Sequence, residues 1–106
     1  MYCRLWHGWT TPQNAPIYEK MLKEEIFKSI DERGIKGYQR IQLFRHDKED
    51  EVEFITIMYF KTLDSIREFA GDDYQVAVVP PKARAILSHY DERVDIFELK
   101  ADINYE

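Results

Sequence analysis

The residues of this chain that could do chemistry are three histidines and a set of large aromatic side chains. His7 lies in the run Tyr2-Cys-Arg-Leu-Trp-His-Gly-Trp9, just after Trp6 and close before Trp9. An imidazole among such rings could serve as a general base or orient a phenolate. The plainer reading is a partly buried histidine with its hydrogen bonds satisfied. His89 falls between a short helix and a last strand, where it could close a pocket or act as an ordinary hinge or surface residue. His46 borders an acidic turn and belongs in solvent. Trp6, Trp9, Met58, Phe60 and Phe69 have the bulk to line a cavity between a sheet and its helices, or to fill a core.

Other chemistries leave no mark. The scattered histidines and the lone Cys3 show no metal-ligand spacing, so no metal or other cofactor is expected. Gly34-Ile-Lys-Gly37 follows a helix rather than a strand and is a turn, not a phosphate loop. No Gly-x-Ser-x-Gly elbow is present. Asp47, Glu49, Asp50 and Glu51 gather on a hairpin tip, where acids are normally solvated. The net charge of −5 comes without any basic stripe, which argues against nucleic acid as a partner. A single cysteine cannot form an intramolecular disulfide and fits a reducing cytoplasm, the expected location. No apolar run reaches the roughly 18 residues that would suggest a membrane span.

The elements that must position these residues follow from periodicity. With 106 residues, 44% hydrophobic and 33% charged, the chain suits one globular domain. Glu51-Val-Glu-Phe-Ile-Thr-Ile-Met-Tyr-Phe60 is its most strand-like run. Val52, Phe54, Thr56, Met58 and Phe60 face one way; Ile55, Ile57 and Tyr59 face the other. Both sets are mostly apolar, which predicts a central strand covered on both faces. Tyr2–Trp9 reads the same way, with Tyr2 and Trp6 on one face and Cys3, Leu5, His7 and Trp9 on the other. Gly8 could admit another backbone or a ligand.

A helix is predicted from the Thr10–Pro16 turn to about Arg33. Its single apolar stripe comprises Ile17, Tyr18, Met21, Leu22, Ile26, Phe27 and Ile30, and Gly34 stops it. Tyr38–His46 reads as a more polar strand nearer an edge, joined by a hairpin to the strand at 51–60. Its Gln39, Ile41, Leu43 and Arg45 should share one face, and Tyr38, Arg40, Gln42 and Phe44 the other. Thr62 caps a second helix ending at Gly71. Asp72–Val79 is ambiguous between helical and extended. Pro81–Leu87 is a short helix and Asp91–Leu99 the last strand. The order β-α-β-β-α-β is the ferredoxin-like split βαβ arrangement, an α+β fold with a four-stranded antiparallel sheet. Helices can cover one side of that sheet. The other would leave an apolar face larger than a monomer tolerates, which predicts a homodimer packed sheet to sheet, a dimeric α/β barrel.

Several stretches together resemble a known family. They are Gly8-Trp9-Thr10, Tyr18 and Leu22 on the first helix, Gly34-Ile-Lys-Gly37-Tyr38, and the strand 51–60 followed by Thr62-Leu-Asp-Ser-Ile-Arg-Glu-Phe-Ala-Gly71. The chain in this respect is similar to the antibiotic-biosynthesis-monooxygenase-type family of dimeric α/β barrels. The resemblance runs nearly the whole length and is most specific over 54–71. It implies an oxygenase that uses no metal or flavin and lets a small planar aromatic or quinol-type molecule react with O2. In the quinone-forming members an Asn and a Trp stand on the third strand at positions matching Thr56 and Phe60. The Asn would stabilise a substrate oxyanion. Thr56 keeps a hydroxyl donor, whereas Phe60 has no N–H. The histidine of the haem-degrading members would fall near Val79.

The resulting expectation is a site in which His7 manages a proton and Thr56 bonds a substrate oxygen. Trp6, Met58, Phe60 and Phe69 would wall it, with Trp9 and His89 close by. A sensor or carrier of the same fold is the alternative, and a purely structural dimer a third.

Overall fold

The computed structural model describes all 106 residues. Strand β1 (Tyr2–Thr10) pairs antiparallel with β3 (Val52–Phe60) along its full length, Trp6 opposite Thr56 and His7 opposite Ile55. Strand β2 (Tyr38–Asp47) lies on the far edge of β3. The free edge of β1 is shared by two short strands, β4 (His89–Tyr90) at its end and β5 (Asp95–Glu98) at its start. Strands β1 and β3 are thus central, and the sheet is the ferredoxin-like one with its fourth strand broken in two.

The break has a local cause. The predicted strand over Asp91–Leu99 is interrupted because Glu92–Val94 pair with the segment 75–77 instead of with β1. Ala77 N–H donates to the Glu92 carbonyl at 2.8 Å and Val94 N–H to that of Gln75 at 2.7 Å. The ambiguous stretch Asp72–Val79 is therefore mostly irregular, held by this one bridge at Val76 and Arg93.

Between β1 and β2 run α1 (Ala15–Met21), a π-helical turn (Leu22–Ile26) and α2 (Phe27–Glu32) without a gap. The predicted uninterrupted α-helix is corrected here. Tyr18, Leu22, Ile26 and Ile30 recur every four residues, a step that drifts about 40° in an α-helix. A turn in which the Phe27 N–H reaches back to the Leu22 carbonyl takes up that drift and keeps the four on one side. Ile17, placed on the same stripe by the sequence, is 55% exposed. Helix α3 (Leu63–Ala70) starts at Thr62, whose hydroxyl accepts from Ser65 N–H at 3.1 Å, and ends at Gly71. Helix α4 (Pro81–Ile86) completes the layer.

Val52, Phe54, Met58 and Phe60 are buried against these helices, as are Tyr18, Leu22, Ile66, Phe69 and Ala83. The face carrying Leu5, Ile55 and Ile57 is half-buried and has no layer of this chain over it. In β2 the predicted alternation fails at its start. A bulge between Tyr38 and Arg40 puts Tyr38 opposite Phe60 and packs it on the covered side with Ile41.

Two glycines with positive φ close turns, Gly34 (φ +60°) and Gly37 (φ +88°). A methyl at Gly34 would meet open space, whereas at Gly37 it would collide with the Ser65 hydroxyl. That hydroxyl is fixed 3.0 Å from the Thr62 oxygen. Gly37→Ala should therefore cost about 2–3 kcal/mol and Gly34→Ala only about 1 kcal/mol. Urea denaturation checks the difference, and equal losses would remove the Ser65 collision as a cause.

Candidate functional site

A domain of this size normally builds one contiguous core. Here the buried apolar side chains fall into two clusters. One gathers Tyr18, Leu22, Val52, Phe54, Ala83 and Leu87; the other gathers Ile35, Met58, Phe60, Ile66 and Phe69. Between them, under the π-helical turn, lies a cavity lined by members of both. Its floor is the covered face of β1 and β3, with Arg4, Trp6, Thr56 and Met58. Leu22, Ile26 and Ile30 form one wall, and the irregular Val78–Pro80 another. About 50 Å3 is open to the centre of a water molecule, room for a few waters at about 10–15 Å3 each.

The predicted site residues divide between the two faces of the sheet. Trp6, Thr56, Met58 and Phe69 line the cavity together. Trp6 is held there by its indole N–H, which donates to the Asp91 carbonyl at 2.7 Å, and its ring lies over Gly8. The space that Gly8 leaves is thus taken by Trp6 itself and Leu87 rather than by a ligand. Phe60 is not in the lining. It is fully buried, with its ring 5.4 Å from Tyr38 and 5.9 Å from Phe69.

Strand parity sends His7, Trp9 and His89 to the open face, away from the cavity. His7 sits opposite Ile55 and Trp9 opposite Glu53 and His89. His7 Nδ1 is 3.0 Å from Glu53 Oε2, and His89 Nε2 is 3.1 Å from Glu51 Oε2. The Trp9 ring stacks on both imidazoles, at 5.6 and 4.5 Å between centroids. His7 and Thr56 therefore do not share a site.

What the sequence reading overlooked is Arg4. It shares the parity of Trp6 and is 5% exposed. It is the one charged side chain in the lining, and no carboxylate pairs with it. Its Nη2 donates to the Val76 carbonyl at 2.7 Å, its Nε contacts that of Tyr74 at 3.5 Å, and its guanidinium carbon lies 5.2 Å from the Phe69 centroid. Burial lowers its pKa to about 10, so it stays charged at neutral pH. Keeping that charge out of water costs on the order of 3 kcal/mol. Tyr18, whose ring packs edge-on against Phe54 at 5.0 Å, also lines the cavity, and burial pushes its phenol up. No three His, Cys, Asp or Glu side chains are grouped as a metal site.

No protein-family model matches the sequence, and no curated protein matches it. Solved structures do. A crystal structure of a candidate antibiotic biosynthesis monooxygenase from Bacillus cereus superposes with a TM-score of 0.63, covering 98% of this chain and 97% of that one at 8% identity. This chain shares the ferredoxin-like α+β fold of that structure. At such identity the likeness carries the fold and no chemistry. No helix is long and apolar enough to cross a membrane.

On the open face, the hydrogen bond from His7, helped by the nearby Lys48, holds the Glu53 carboxyl below its ordinary range. A depressed carboxyl adds stability above its unfolded pKa of about 4.3 and loses it as pH falls through the lower folded value. Glu53→Gln should thus flatten the acid limb of the stability profile below about pH 5. Urea titrations across that range check this, and an unchanged limb would contradict it.

Proposed function

We propose that the cavity binds a small planar aromatic or quinol-type molecule and that the protein is an oxygenase in which substrate and O2 react directly. The observation that supports this is the cavity itself, apolar and set between two core clusters in a monooxygenase fold. For a methylene next to phenol rings the balance is complete. CH2 and O2 give C=O and H2O, and the substrate supplies all four electrons. Such chemistry asks the protein for orientation, exclusion of water and stabilisation of charge. Trp6, Met58 and Phe69 would sandwich and desolvate the ring, and the Thr56 hydroxyl would donate to a substrate oxygen. A ring exceeds the present space, so entry would shift the flexible Met58 thioether and the irregular Val78–Pro80 wall.

A carrier or sensor is the second reading. It is favoured by the lining, which includes no histidine or carboxylate to act as a base.

An oxygen electrode and a thermal shift assay with anthrone- and dihydroquinone-type compounds decide between these. Oxygen uptake supports the oxygenase, and a raised melting temperature without uptake supports the carrier. Neither response would overturn the site. Thr56→Val should lower kcat/KM about ten-fold, the worth of one hydrogen bond.

We further infer that the open sheet face is covered by a second copy. Phe44 and Phe97 are 49% and 51% exposed there, beside Leu5, Ile55 and Ile57. Light scattering should return about twice the 12.8 kDa chain mass. Ile57→Asp should split or aggregate the protein, and a wild-type monomer at micromolar concentration would contradict the pairing.

A further inference from the structure

Arg4 carries a burial cost that is offset within the chain only by its two carbonyl contacts and the Phe69 ring. Every other arginine is exposed, and Arg45, Arg67 and Arg93 pair with carboxylates. Arg4 is buried without one. Of the five guanidinium N–H groups, its two carbonyl contacts engage two, which leaves three without a partner in the chain. A charge kept beside an apolar cavity is best matched by an anion inside it, because low polarity strengthens the attraction.

We propose that Arg4 is the anion receptor of the cavity and that its ligand is an aromatic oxyanion, a ring-borne carboxylate or phenolate. The planar guanidinium presents paired donors that suit either oxygen arrangement. The Phe69 ring beside it, with Trp6 and Met58 in the same lining, supplies the apolar surface for the ring. The net charge of −5 opposes an anion from a distance. Salt screens that field beyond about 10 Å, so the local cation governs. The proposal rests on the cavity being a ligand site.

The competing explanation is that Arg4 only staples the segment 74–76 to β1. A staple predicts lost stability on substitution and no sensitivity to ligand charge. Calorimetric titration of the wild type should therefore show benzoate binding at least about ten-fold more tightly than its neutral isostere benzamide, the equivalent of one pKa unit. Bound 4-nitrophenol, read by the colour of its phenolate, should titrate at lower pH than the free compound. A benzoate preference without that shift assigns a carboxylate ligand, and the shift without the preference assigns a phenolate. Arg4→Met should abolish both effects and Arg4→Lys restore part of them. In the wild type, the Arg4 Nε–Hε NMR resonance should move with benzoate and not with benzamide, a readout independent of how the variants fold. Equal binding of charged and neutral probes, or a charge preference that survives Arg4→Met, would overturn the receptor and leave the cavity as a neutral site. Failure of every probe to bind would overturn the cavity reading itself.

Discussion

The pairing of β1 with β3 is the constraint on which the rest depends. Trp6 opposite Thr56 sorts the two central strands into two sets of side chains. Arg4, Trp6, Thr56 and Met58 go beneath the helices. Leu5, His7, Ile55 and Ile57 go to the open face. A slip of one residue in β1 would carry His7 into the cavity and Trp6 out of it. Where charge, rings and hydroxyls meet is thus decided by register before any side-chain detail.

The covered side is not packed for stability alone. Two core clusters stand apart on either side of the cavity. The helix above them gives up regular α geometry for one turn, and a π turn is a frequent companion of functional sites. Arg4 is buried without a carboxylate, and the indole of Trp6 is fixed by Asp91 where a freely packing ring would have done. The π turn, the buried Arg4 charge and the Trp6 indole all meet at the same space. On the opposite face, the three histidines lie with Glu51 and Glu53 at one end of the sheet, around Trp9. Their ion pairs are half-exposed and contribute modestly to the fold.

The architecture was largely legible in the sequence. Apolar residues on both faces of 51–60 identified a central strand, and the spacing of Leu63, Ile66 and Phe69 with Thr62 and Gly71 identified α3. Parity already separated Trp6 from His7 and Trp9. What it could not supply was the cross-strand register, so His7 and Thr56 were joined in one site although they lie on opposite faces. Arg4 escapes notice because a charge is read as solvated unless its parity is followed, and here it shares the parity of Trp6 on the covered face. The four-residue spacing from Tyr18 to Ile30 carried the signal for the π turn, but a three-and-four pattern hides it. The bulge before Arg40 and the break in the last strand come from tertiary contacts, with Phe60 and with the segment 75–77, which no local pattern encodes.

The proposed ligand site lies beneath the helices, on the Trp6 side of the sheet. Methyl NMR during titration with a single-ring dihydroquinone tests this most directly, because both faces carry reporting methyls. Shifts are expected at Thr56, Met58 and Val79, with Leu5, Ile55 and Ile57 unmoved. Shifts confined to Leu5, Ile55 and Ile57 would place the ligand on the other face and contradict it.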